Sequence, residues 1–233
     1  MKRLLPFLII LAVAIGAVAG GTALYRARRE VAFAPIPGEL ASSNPGAQPP
    51  HVRGRPDAPV VLEEFGDLQC PPCAALAKDL KKIESDYKDR VRVVFRQFPL
   101  AMHNHAVEAA RAAEAAGAQG RFWEMFDLLY ETQPDWSAVS DVQPLFEKYA
   151  QQIGLDLKRF QADQQDNALL GRIGLDNARG SSMGVVGTPT VFINNQRVPA
   201  QSMSDQGLRA ALDAVLAGKP AFETPSPSPA PVK

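Results

Sequence analysis

Cysteine and histidine are scarce in this 233-residue chain, at two and three residues, and there is no excess charge, with 25 basic and 25 acidic side chains. Each shortage excludes something. Zinc ligands beyond the cysteines would have to come from His51, His103 and His105, and His103-Asn104-His105 lacks the spacing of a zinc finger. A neutral chain has no global field to draw in nucleic acid, so a phosphate-binding role has no support. No internal repeat has the period of a solenoid or propeller. Without a long heptad run or an evident dimerisation segment, a monomer is expected.

What is present is the placement of the two cysteines. Cys70 and Cys73 are separated by Pro71 and Pro72, follow an apolar strand-like run and open a helix-like one. A thiolate at the first turn of a helix is stabilised by unpaired backbone N–H groups and the helix dipole, which makes an exposed Cys70 a good nucleophile. Cys73 is close enough to close or open a disulfide with it. A structural bridge over so short a loop would constrain the unfolded chain little. The pair therefore reads as a redox-active dithiol, with a zinc site and an inert structural pair as the alternatives. No metal is expected, and no cofactor beyond the Cys70–Cys73 disulfide itself.

The N-terminus addresses the compartment. Lys2 and Arg3 precede an apolar stretch from Leu4 to Leu24, followed by Arg26, Arg28 and Arg29. Residues 1–30 read as an export segment with two possible fates: cleavage after Ala17-Val18-Ala19, or retention as a membrane anchor. Basic residues balance across it, so charge does not fix its orientation. A persistent disulfide argues for the periplasm or the outer face of the cytoplasmic membrane. Residues 31–54, rich in Pro, Ala, Gly and Ser, read as a linker, and 219–233, with five prolines, as a disordered tail. The domain is placed at 55–218.

Within it, Val60–Phe65 suits a strand buried on both faces, and Leu76, Leu80 and Ile83 mark one face of the helix that begins at the cysteines. Val91–Phe98 is a second strand, completing a parallel strand–helix–strand unit. From about 103 to 180 the periodicity is helical. Val185–Ile193, the turn Asn194-Asn195 and Gln196–Val198 form a hairpin, and Ser204 caps a last helix that Gly218 stops.

That order of elements, with Cys-Pro-Pro-Cys after the first strand and Gly187-Thr188-Pro189-Thr190 opening the hairpin, resembles the DsbA-like branch of the thioredoxin superfamily. Further likeness lies in Asp57-Ala58-Pro59-Val60, in Glu64-Phe65-Gly66-Asp67-Leu68-Gln69-Cys70, and in Phe98-Pro99-Leu100 followed by His103-Asn104-His105-Ala106. The resemblance implies an α/β thioredoxin-like fold with an inserted helical subdomain. It implies that Cys70 exchanges with substrate sulfur and Cys73 resolves the mixed disulfide. Pro189 occupies the position of a cis proline that turns the Thr188 backbone toward the cysteines, where it could pair with an extended peptide. Glu64 stands where such proteins carry a buried carboxylate that exchanges protons with the resolving cysteine; a surface carboxylate is the alternative for it and for its neighbour Glu63.

The implied activity is that of an exported protein disulfide oxidoreductase acting on cysteine-containing exported proteins and recycled by a membrane redox partner. Pro71 and Pro72 supply no N–H to the Cys70 thiolate, which argues for a milder oxidant than a histidine in the second position would give. A disulfide donor is the expected direction. A reductase or isomerase is the alternative, and a non-catalytic peptide-binding or chaperone module the alternative of another class.

Overall fold

The computed structural model describes residues 44–222, and in it the two apolar runs beside the cysteines become the central strands of a five-stranded sheet. β1 (His51–Arg53), β2 (Val60–Gly66) and β3 (Val91–Gln97) precede the helical region; β4 (Thr190–Ile193) and β5 (Gln196–Arg197) follow it. The order across the sheet is β1-β3-β2-β4-β5. β2 and β3 are parallel, with Val60 opposite Val91 and Gly66 opposite Gln97, whereas β1 joins β3 and β4 joins β2 antiparallel. Every residue of β2 and β3 is buried, as strands covered on both faces require.

α1 (Pro71–Tyr87) makes the crossover between them. It begins where two prolines are tolerated, because the N–H groups of the first turn have no partner within the helix. Cys73, Leu76, Leu80, Ile83 and Tyr87 recur at alternating spacings of three and four and form its buried face. α2 (Ala106–Gly117), α3 (Phe122–Glu131), the short α4 (Gln133–Trp136), α5 (Gln143–Gln152), α6 (Leu157–Gln164) and α7 (Asn167–Ser182) make up the inserted helical region. Its core joins the alanines of α2 to Met125, Leu129, Trp136, Phe146 and Phe160, and extends to Cys70 and Cys73. α8 (Asp205–Leu216) is capped by the Ser204 side chain, which accepts from the Gly207 N–H. The fold is thioredoxin-like with the helices inserted between β3 and β4.

Alternation along β2 separates its adjacent glutamates. Leu62 packs with Leu76, Leu80 and Leu208 on the side of α1 and α8, and Glu64 shares that side. Glu63 points the other way and meets Arg179 of α7: its Oε1 accepts from Arg96 Nε and Arg179 Nε, each at 2.8 Å, and its Oε2 from Arg179 Nη2 at 2.9 Å. Burial alone would push Glu63 up, but Arg179 and Arg96 hold it below the ordinary carboxylate value. Neither glutamate is a surface group.

Three expectations are corrected here. The linker placed at 31–54 ends earlier, because His51–Arg53 is a strand and Ala47 is buried, its N–H donating to Asp176 and its carbonyl accepting from Arg96. Gly46 fits there at φ +74, where a Cβ would come within 2.9 Å of Arg179, Arg96 and Asp176. Val185–Pro189 is not strand: β4 starts at Thr190, after a proline that has no N–H for a ladder. The tail placed at 219–233 begins against the domain, with Ala221 and Phe222 packed on the core beside α8 and bonded to the Gln196 side chain. The export segment and the remainder of the tail lie outside the described residues; among the described residues no helix is long and apolar enough to cross a membrane.

Removing Glu63 would leave Arg96 and Arg179 buried with their charges poorly compensated, which costs about 3–5 kcal/mol in such settings. Denaturant unfolding of Glu63→Ala should show a loss of that size. An unchanged midpoint would mean that the other acceptors around these arginines suffice.

Candidate active site

The turn between β2 and α1 carries Cys70 in an extended conformation just before the first helical residue, with Cys73 inside the first turn. Both sulfurs are unbridged thiols. Cys73 is fully buried, and Cys70, expected to be exposed, retains only 4% of its surface. The Thr188 carbonyl accepts from the Cys70 Sγ at 3.5 Å. Pro71 and Pro72 are exposed.

The environment separates the two thiols. A hydrogen bond from the Cys73 thiol pulls Cys70 down to about 6 against the effect of burial, helped by Thr188 and the Cys73 backbone N–H. These groups supply what the two prolines cannot. Cys73 is pushed far above the ordinary thiol value by burial, by its bond to Cys70 and by the charge of Glu64. Glu64 is fully buried, and among the described residues neither of its oxygens has a hydrogen-bond partner. Burial chiefly, and the Cys70 charge secondarily, push its carboxyl up to about 8. A nucleophilic sulfur, a sulfur that holds its proton and a carboxyl poised to give one thus lie together.

The loop before β4 completes the group. The Thr188–Pro189 bond is cis. The Thr188 hydroxyl is buried without a close hydrogen-bond partner, and Thr190 Oγ1 donates to the Gly187 carbonyl at 2.7 Å, closing the loop.

The three histidines are engaged away from the sulfurs. His51 stacks on Phe122 and faces Glu114, His103 faces Asp67, and the His105 ring faces the Val139 carbonyl.

Other residues hold the cysteine turn. Gln133 Nε2 donates to the Leu68 and Cys70 carbonyls at 2.8 and 3.2 Å, and the Tyr130 hydroxyl to the Asp67 carbonyl at 3.2 Å. Asp67 and Gln69 are visible in the sequence as polar residues in an otherwise apolar approach to Cys70. Nothing local marks Tyr130 or Gln133, whose carbonyl partners lie 63 to 65 residues back along the chain.

Residues 47–214 match the family described as Thioredoxin. The chain belongs to the thioredoxin family. Within that family its structural likeness is to DsbA-type thiol–disulfide oxidoreductases. The crystal structure of oxidised BdbD from Bacillus subtilis is 24% identical and covers 76% of this chain and 98% of that one, with a TM-score of 0.66. DsbA2 of Pseudomonas aeruginosa is 27% identical, covers 72% and 93%, and gives 0.56. Among curated relatives, the Na(+)/H(+) antiporter NhaA 1 of Mycolicibacterium gilvum is 39% identical over 152 residues, which are 63% of this chain and 24% of that protein. This thioredoxin-family chain therefore spans about a quarter of the curated relatives it matches.

Because the Cys73 thiol is the largest influence on Cys70, Cys73→Ala should raise the Cys70 pKa and Cys73→Ser, which keeps a donor, should raise it less. Alkylation rate against pH reads this directly, and equal shifts in both variants would assign the effect elsewhere. Glu64 gives a second test on the dithiol form, where burial and the Cys70 charge both raise it. Below its unfolded value of about 4.5 the carboxyl is protonated in both states; from there to about 8 only the unfolded chain ionises, so stability falls as pH rises through that window. Glu64→Gln should match the parent near the acid end and exceed it by several kcal/mol near the alkaline end. A pH-independent difference would mean that the carboxyl is not held protonated.

Proposed function

We propose that this protein is an exported thiol–disulfide oxidoreductase that donates its Cys70–Cys73 disulfide to cysteine pairs of extracytoplasmic proteins. The observation that carries the reading is the division between the two sulfurs, Cys70 pulled down to about 6 and Cys73 pushed far up beside a carboxyl at about 8. A thiolate that is stable in the dithiol form makes the disulfide the more oxidising partner.

The steps follow from those properties. A substrate thiolate attacks Cys70 Sγ, the Cys70–Cys73 bond breaks, and Cys73 leaves as a thiolate that takes the proton held by Glu64. A second substrate thiolate then attacks the substrate sulfur of the mixed disulfide. Cys70 is expelled as the stable thiolate, the substrate has lost two electrons to form its disulfide, and the pair is left as the dithiol. Thr188 and Pro189 border the sulfur where an extended substrate segment would lie, its backbone pairing with that of Thr188. Reoxidation falls to a membrane redox partner. No cofactor enters besides the disulfide, and the protein works as a monomer.

Export rests on the apolar segment Leu4 to Leu24 and on the need of a disulfide for an oxidising compartment. The curated relatives join a stretch like this one to what is named a sodium/proton antiporter, an activity that requires a membrane, which supports a working place at one. Antiport itself is not proposed for this chain.

Cys73→Ser should trap mixed disulfides with exported proteins, Cys70→Ser should trap none, and the wild-type cysteines should be found mostly oxidised in cells. Mostly reduced cysteines, with a redox potential near that of thioredoxin, would make the protein a reductase. Trapping confined to cytoplasmic proteins would overturn the proposed location.

A further inference from the structure

Asp67 lies three residues before Cys70 and is 1% exposed. Its Oδ1 accepts the Gln69 N–H at 2.8 Å; its Oδ2 accepts the Leu100 N–H at 2.8 Å and faces His103 Nδ1 at 2.7 Å. A carboxylate can only accept, so His103 carries a proton on Nδ1 whether the ring is neutral or charged. The Asp67 carbonyl in turn accepts the Cys70 N–H at 3.0 Å. One residue therefore couples the loop after β3 to the cysteine turn. It also brings a buried negative charge that opposes the Cys70 thiolate.

His105 braces the same turn from another side. Its backbone N–H donates to Gln69 Oε1 at 2.6 Å, Gln69 Nε2 donates to the Ser137 carbonyl at 2.9 Å, and the His105 ring Nε2 donates to the Val139 carbonyl at 2.8 Å. The His103-Asn104-His105 segment, with no use as a zinc motif, thus clasps the approach to Cys70 at two points.

We propose that His103 is a positioning residue for the dithiol: by donating to the buried Asp67 carboxylate it fixes the turn that carries Cys70 and shields the sulfur from that charge. His103 is partly exposed and touches neither sulfur, so it acts only through Asp67. Without the donor, a Cys70 thiolate would face a less compensated carboxylate in surroundings that screen poorly, and the dithiol form would lose stability relative to the disulfide. The inference rests on Cys70 being the reacting sulfur, as proposed above.

The test is the thiolate absorbance titration of Cys70 in the reduced full-length protein, with its equilibrium constant against glutathione. His103→Ala should raise the Cys70 pKa and shift that equilibrium toward the disulfide by roughly three- to tenfold, and His103→Gln, which retains a donor, should restore most of the difference. In an Asp67→Asn background the effect of His103→Ala should vanish; if that background fails to fold, the comparison of Ala with Gln decides alone. Cys73, Glu64 and Thr188, the other groups facing Cys70, are unchanged throughout. A lowered melting temperature with an unmoved titration and potential would overturn the inference. Failure of the wild type to donate disulfides would sink the functional reading instead, since the titration reads the sulfur and not a substrate.

Discussion

A carboxyl group enclosed with no partner is stable only while it keeps its proton, and Glu64 imposes that condition on everything around it. It sits on a strand that is covered on both faces, and its side chain is withdrawn from the surface. Its neighbour Glu63 shares the burial but is neutralised by Arg96 and Arg179. One strand thus carries two withdrawn carboxyl groups in opposite protonation states, and alternation of side chains across the sheet is what separates them. On the side of Glu64 lies Cys73, itself held protonated chiefly by burial. In the proposed exchange a sulfur leaving from that position needs a proton, and the Glu64 carboxyl, kept protonated by burial, would supply it.

The helical insertion belongs to this arrangement as much as the sheet does. Gln133 of α4 and Tyr130 of α3 satisfy carbonyls of the cysteine turn, and the Ser137 and Val139 carbonyls hold Gln69 and His105. Each is a buried or half-buried polar contact whose loss would leave an unsatisfied group. The dithiol is therefore framed by two layers, its protonation set from the sheet side and its backbone fixed from the helical side.

Much of this was legible in the chain because it depends on local order. Two continuous apolar runs made the central strands, the cysteines opened the intervening helix, and Asn194-Asn195 made the turn, both at positive φ. Cys70, Cys73, Glu64, Thr188 and Pro189 lie together around one turn. What was not legible depends on partners far along the chain. Residues 44–47 have the composition of a linker, yet Asn44 and Ala47 are held by Arg179 and Asp176, 135 and 129 residues away. A surface carboxylate stayed open for Glu63 because the Arg179 that neutralises it comes from α7, 116 residues along the chain. The burial of Cys70 likewise comes from far along the chain, since the core of the helical insertion extends to it.

That covering has a consequence for timing. A sulfur with 4% of its surface accessible, and a carbonyl set against it, can be reached only by a narrow, pliable stretch of chain. A cysteine already locked inside a finished globule cannot offer one. For the disulfide donor proposed above, such a recess would act as a clock: cysteines would meet the sulfur in the interval between their arrival and their burial.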